Sequence, residues 1–220
     1  MYKILPVEQE IINDMLKRRP DLKDNVDSLI QLHSALVKTY DSDGKLLICG
    51  NGGSNADAIH IAGELEKSFE RLRPVPAEFV DKISDLPFGK ELAENLEVGF
   101  PAIALGTNTA LKSAVENDSP LRDITYAQET YALLKPEDTL LGISTSGNAQ
   151  NVLMAMSVAK AVGAKVISLT GPKGGKMAEF AAIAVKAPGD STKVIQEAHL
   201  VLYHTFCAMI EAPYFPQMRY

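Results

Sequence analysis

Among its 220 residues the chain has no tryptophan, two cysteines and four histidines. Cys49 and Cys207 are too few and too far apart for a disulfide framework or a C-x-x-C redox motif, so both read as buried thiols. Basic residues are also short: 22 Lys and Arg stand against 28 Asp and Glu, a net charge of −6. That balance leaves no surplus to displace counterions from phosphates and argues against direct nucleic-acid binding. No apolar run approaches the roughly 18 residues of a membrane span. The start, Met1 to Pro6, leads into charged residues and lacks the apolar core of a signal peptide, which predicts a cytoplasmic protein with no membrane partner.

Two nucleotide signatures are missing as well. Gly50-Asn51-Gly52-Gly53-Ser54-Asn55 has Asn55 where a dinucleotide fingerprint needs its third glycine. Gly171-Pro172-Lys173-Gly174-Gly175-Lys176-Met177 is one spacer short of a P-loop and has Met177 where Ser or Thr must meet magnesium. It reads as a strand-to-helix turn.

The chain does contain two polar loops, Gly50 to Asn55 and Ser144-Thr145-Ser146-Gly147-Asn148, each between a short apolar run and a helical pattern. A strand that ends in small polar residues and feeds a helix aims unpaired N–H groups and the positive end of the helix dipole at a ligand. Glycines permit close backbone approach, and the hydroxyls of Ser144, Thr145 and Ser146 add donors. Two such cradles on one chain predict a phosphorylated ligand.

Periodicity places helices near Val7 to Lys17 and Leu22 to Tyr40, with Pro20-Asp21 opening the second. Strands then alternate with helices: strands at Lys45–Cys49, Pro101–Leu105, Thr139–Ile143, Lys165–Leu169 and Ala182–Lys186, helices at Ala56–Arg71, Leu121–Leu134, Asn151–Val162, Gly175–Ala181 and Ser191–Glu211. This rhythm predicts an α/β fold, a parallel five-stranded sheet with helices on both faces, preceded by an N-terminal helical pair over 1–44. A flavodoxin-like order 2-1-3-4-5 would set both polar loops at one switch-point crevice. The stretch Pro74 to Phe100 breaks the rhythm and reads as an inserted interface element within a domain spanning 45–220.

His60 and Glu64, four apart, share a helical face with Asp57 close by, a spacing that suits two metal ligands or a ligand and a base. A solvated helix face is the plain alternative. The last helical segment carries Gln196, Glu197, His199, Tyr203 and His204 among apolar neighbours. Spacing aligns Glu197 with His204 and does not choose among them.

The motifs taken together, Cys49 to Leu65, Gly142 to Asn148, Leu169 to Met177 and Ile195-Gln-Glu-Ala-His199, resemble the phosphoheptose isomerases of the sugar isomerase (SIS) domain superfamily. The resemblance implies a SIS-type fold and a homotetramer. It also implies zinc-dependent interconversion of sedoheptulose 7-phosphate and D-glycero-D-manno-heptose 7-phosphate. His60, Glu64, Gln196 and His204 fall on the family's zinc ligands, and Glu64 and His204 on its acid–base pair. Asn51, Gly52, Gly53, Ser54, Glu64, Asn117, Asp118, Ser144, Thr145, Ser146 and Gln196 fall on its substrate contacts. The chain departs from the pattern at Ala149, where a serine is common, at Val194, where a basic residue is common, and in the long Pro74 to Phe100 stretch. These departures bear on the sugar preferred. Gln196 and His204 are about 12 Å apart along a helix, so both reach one ion only at full stretch, which predicts a site shared between subunits. Two alternatives remain open: a SIS protein that binds without catalysis, like the relatives that associate with the bacterial replication initiator, and an isomerase of another sugar phosphate. Retention of His60, Glu64 and His204 together favours the enzyme.

Overall fold

The computed structural model describes residues 2–219; residues 1 and 220 lie outside the described residues. In chain order it has α1 (Pro6–Arg18), a 3₁₀ helix (Pro20–Asn25), α2 (Val26–Asp41), β1 (Leu46–Gly50), α3 (Gly53–Glu66), α4 (Ala77–Ile83) and α5 (Gly89–Asn95). There follow β2 (Ala102–Ala104), α6 (Thr109–Asp118), α7 (Thr125–Leu133), β3 (Thr139–Ser144), α8 (Gln150–Val162), β4 (Lys165–Thr170), α9 (Gly175–Phe180), β5 (Ile183–Lys186) and α10 (Thr192–Glu211).

The five strands form one parallel sheet in the order β2-β1-β3-β4-β5, so the expected fold class and strand order hold. Alternation along each strand divides its side chains between two cores. Leu46, Ile48, Leu141, Ile143, Ile167 and Leu169 join α1, α2, α3 and α10 on one face. Leu47, Cys49, Leu140 and Val166 meet Val152, Met156, Ala159 and Met177 on the other. Both faces are covered, which is why the strands read as continuous apolar runs. Each fully buried Leu or Ile contributes about 1.5–3 kcal/mol. Both cysteines are buried and free.

The N-terminal helices are tied together by a buried contact, His33 Nε2 to Glu8 Oε1 at 2.8 Å. Glu8 also accepts from the Leu5 N–H at 2.7 Å, closing the first turn of α1. Met15 and Ile12 carry α1 into the core beside Leu202 and Phe206 of α10.

Some boundaries differ from the periodicity. Pro20 opens a 3₁₀ turn, and regular helix begins only at Val26. The helix expected over Ala56–Arg71 starts at Gly53 and stops at Glu66. Past Glu66 the N–H groups turn to carboxylates from elsewhere in the chain, Ser68 to Glu97 at 2.8 Å, and Phe69, Glu70 and Arg71 to buried Glu211 at 2.7, 2.8 and 3.1 Å. The Arg73 guanidinium donates to the same carboxylate at 2.7 Å, and the tail bridges back from Met218 to Arg71. The helix expected over Leu121–Leu134 begins at Thr125, and α6 was not anticipated. No residue of α6 is buried, and its apolar positions, Ala110, Leu111, Ala114 and Val115, span little more than one turn.

The Pro74 to Phe100 stretch contains α4 and α5 and exposes Leu86 and Phe88. Among the described residues no helix is long and apolar enough to cross a membrane.

Candidate active site

The switch point between β1 and β3 brings the two polar loops together. Asn51 and Asn151 join them through two reciprocal amide hydrogen bonds of 2.8 Å. Beside this link, Asn51, Gly52, Asn55, Gly106, Lys112 and Tyr126 help line a polar crevice of about 310 Å³. A second groove of about 430 Å³, along α2, includes Asp138 and Lys165 at the amino ends of the strands, the end that open α/β sheets do not use for ligands.

Gly52 takes φ +56° as it turns β1 into α3, and no side chain caps that helix. Helix α8, after the second loop, also starts without a side-chain cap, at Ala149. Both leave helix N-termini directed at the crevice, the arrangement that favours an anion. The Ser144 and Ser146 hydroxyls stand 3.3 Å apart.

The Gly171 to Met177 turn braces this second loop. Gly171 N–H donates to Thr145 O at 3.1 Å, Met177 N–H to Gly147 O at 2.9 Å, and Lys176 N–H to Asn148 Oδ1 at 3.1 Å. A methyl on Gly147 would strike the carbonyl of Gly174. The turn is structural, as its departure from the P-loop pattern predicted.

About two turns along α3 a second cluster forms. One ligating atom each from His60, Glu64 and His204 lie within 4.8 Å of one another. His60 Nε2 is 3.1 Å from Glu64 Oε1 and 3.5 Å from His204 Nε2. Helices α3 and α10 create this meeting by packing side by side, with Ile61, Leu65, Leu202 and Phe206 turned into the core between them. Two imidazole nitrogens and a carboxylate oxygen have the chemistry of a zinc site. The donor set fits the expected metal.

Burial and neighbouring charges shift the titration of both Glu64 and His204. Burial alone would raise the Glu64 carboxyl, but the hydrogen bond and charge of Lys67, with the His60 ring alongside, outweigh it and hold Glu64 below its ordinary value. Burial lowers the pKa of His204, and the neighbouring His60 lowers it further. At neutral pH Glu64 is ionised and His204 neutral.

Gln196 is not in this cluster. Its amide lies against Gly53 at the head of α3, where an added methyl would meet the Gln196 Cδ at 3.0 Å and Oε1 at 3.1 Å. One chain thus unites His60, Glu64 and His204, and only Gln196 is left to account for by full stretch or by a neighbouring subunit. Glu197, aligned with His204 by spacing, is exposed. Ser54 turns inward and is buried. Asn117 and Asp118 are exposed at the end of α6 and bond to each other at 2.9 Å. His199 is buried and contacts Thr170 O at 3.1 Å, a structural role.

Two residues near the cluster carry more than their spacing suggested. The Tyr203 hydroxyl lies 2.9 Å from His60 Nδ1 and 3.3 Å from Asp57 Oδ1. Asp57 shares the α3 face with His60 and Glu64 at i, i+3 and i+7, so the signal was present in the pattern.

Residues 90–171 match the SIS domain family. The chain is 35% identical over 209 residues to the phosphoheptose isomerase of Helicobacter pylori strain P12, covering 93% of this chain and 96% of that protein. It belongs to the phosphoheptose isomerase family. These are aldose–ketose isomerases, and solved structures agree with that membership. The phosphoheptose isomerase from Francisella tularensis superposes with a TM-score of 0.71 at 29% identity, covering 93% of this chain and 98% of the other. That from Neisseria gonorrhoeae gives 0.68 at 30% identity, covering 90% and 94%.

Proposed function

We propose that this chain interconverts sedoheptulose 7-phosphate and D-glycero-D-manno-heptose 7-phosphate, in the cytoplasm, as a zinc-dependent homotetramer. The observation that carries the reading is the convergence of His60, Glu64 and His204 beside two uncapped helix N-termini in a chain of this family. The phosphate occupies the Ser144, Thr145 and Ser146 loop, and the sugar extends past Asn51, Gly52, Gly53 and Gln196 towards the cluster. From Gly53 to His60 is about 10 Å along α3, a span suited to an extended sugar phosphate. Remote phosphate binding holds the reacting carbons in place.

Isomerisation moves one proton between adjacent carbons through an enediolate and shifts the hydroxyl proton accordingly. Glu64, ionised, and His204, neutral, are the pair that takes and returns these protons. Glu64 presents Oε1 to the cluster while the Lys67 ammonium holds Oε2 at 3.0 Å, so the carboxylate is fixed in direction. His60, Glu64 and His204, with Gln196, would hold the zinc. Zinc bound there supplies Lewis-acid polarisation of the sugar carbonyl and stabilises the enediolate charge. Exposed Leu86 and Phe88 on the Pro74 to Phe100 stretch support the interface role assigned to it. Asn117 and Asp118 are assigned to the substrate by resemblance and lie near the crevice, which Glu116 helps to line.

Aldose formation from sedoheptulose 7-phosphate, followed by NMR, tests this reading with zinc-loaded protein, chelated protein and Glu64→Gln. Turnover that chelation and the substitution both abolish supports it. No turnover by an intact zinc-loaded tetramer refutes it. Ala149, which leaves α8 without a side-chain cap, favours a screen of other sugar phosphates next.

A further inference from the structure

The hydrogen-bond polarity around His60 is constrained from behind. Tyr203 is buried and has one hydroxyl proton, yet its oxygen lies within reach of two partners, His60 Nδ1 at 2.9 Å and Asp57 Oδ1 at 3.3 Å. An ionised carboxylate only accepts. Once Tyr203 donates to Asp57, its oxygen can face His60 only as an acceptor, and His60 must carry its proton on Nδ1. The other nitrogen, Nε2, then offers its lone pair beside His204 Nε2 at 3.5 Å and Glu64 Oε1 at 3.1 Å, and Glu64 is the one neighbour that competes to draw the proton to Nε2 when no cation is bound. Asp57 also keeps a second oxygen, Oδ2, buried without a hydrogen-bond partner. A half-buried carboxylate with one oxygen unpartnered is costly.

We propose that Asp57 and Tyr203 are positioning residues that lock His60 in its Nδ1–H tautomer and so aim three lone pairs at one cation. The inference rests on the metal reading of the cluster and extends it to two residues that touch neither the metal nor the sugar. Asp57 acts only through Tyr203, and Tyr203 only through His60. Loss of either partner frees the ring to place its proton on Nε2, where that proton competes with the cation. Partners of this kind behind a ligating histidine typically change metal affinity by about 10- to 100-fold.

The test uses the full chain as wild type, Tyr203→Phe, Asp57→Ala and the double variant. Zinc affinity is measured by competition with a chromogenic chelator. In chelated protein at pH 8, the ¹⁵N shifts of the His60 ring report the tautomer directly. The expected result is an Nδ1–H ring in wild type, Nε2–H gained in Tyr203→Phe, and zinc affinity about 10- to 100-fold weaker in Tyr203→Phe. The double variant should be no weaker than Tyr203→Phe alone, because Asp57 has no separate route to the ring. Should Tyr203→Phe misfold, Asp57→Ala keeps the hydroxyl, removes the acceptor of its proton and reads the same shift. An Nε2–H ring in wild type, unchanged affinity in Tyr203→Phe, or losses that multiply in the double variant would overturn the proposal. Wild type that binds no zinc refutes the metal reading itself, and with it this extension, while the ring shifts still say which nitrogen holds the proton.

Discussion

Gly53→Ala isolates the role of Gln196. Gly53 has no positive φ and opens α3, so its backbone accepts alanine. The new methyl, however, would stand 3.0 Å from Cδ and 3.1 Å from Oε1 of Gln196, with the amide nitrogen nearer still. The amide must retreat by about 1 Å or rotate, and a hydrogen bond lengthened that much is lost. One lost bond is worth about 0.5–1.5 kcal/mol when neutral and about 1.5–3 kcal/mol to a charged group. At about 1.4 kcal/mol per tenfold, kcat/KM should fall about 2- to 12-fold if the partner is neutral and about 12- to 150-fold if it is charged. Stability should scarcely move. Reduced freedom of the unfolded chain favours alanine by about 0.4–1 kcal/mol, and displacing one flexible side chain costs about 0.5–1.5 kcal/mol. The melting midpoint should therefore shift by no more than about 2–4 °C. Steady-state heptose formation by Gly53→Ala, Gln196→Ala and the double variant, with melting curves, is the assay. If Gly53 matters through Gln196, the double variant matches Gln196→Ala. Wild-type kcat/KM in Gly53→Ala, or a double loss equal to the product of the singles, refutes the argument.

Other perturbations follow from the same structure. Ala149→Ser should give α8 the side-chain cap it lacks and raise stability by about 1 kcal/mol, read as a higher midpoint in chemical denaturation. Glu211→Gln removes the charge that Arg73 and three backbone N–H groups share. Breaking such a buried pair costs about 3–5 kcal/mol, and a midpoint unchanged in urea would contradict it. His199 is held below its ordinary pKa by burial, although its hydrogen bond to Thr170 O works the other way. Between its folded value and the unfolded value of about 6.5, the unfolded chain binds more protons, so stability rises with pH in that window and falls on acidification. Relative to wild type, His199→Gln should flatten the stability profile below pH 6.5; parallel profiles would exclude His199 as the source.

The fold was legible because the strands are covered on both faces. Their runs Leu46 to Cys49, Leu140 to Ile143 and Val166 to Leu169 are nearly unbroken, and the βα rhythm then admits few topologies. Boundaries set by long-range contacts were not legible. Past the early end of α3 the backbone donates to Glu97, 29 residues on from Ser68, and to Glu211, 141 residues on from Glu70, and no local pattern announces that competition. Helix α6 buries nothing, and its apolar positions, Ala110 to Val115, are too short a run to stand out. At the candidate site, the His60 and Glu64 pair was visible as an i, i+4 spacing, and the resemblance to the family added His204. The placement of Gln196 against Gly53, the inward turn of Ser54 and the Asp57–Tyr203 contact depend on how α3 and α10 lie side by side. One-dimensional spacing cannot convey that.

The interlock between the Ser144 to Asn148 loop and the Gly171 to Met177 turn bears on how this fold can be re-engineered. With Gly147 pressed on the Gly174 carbonyl, and Gly175 placed so that an added methyl would lie 2.6 Å from Gly147 O, neither segment has room to drift alone. A change of backbone in one demands a matching change in the other. In any exchange of segments between relatives, these two stretches, 23 residues apart at their nearest ends, form a single transplantable unit. A graft that moves the serine loop without its glycine brace would carry the hydroxyls and leave behind the shape that aims them.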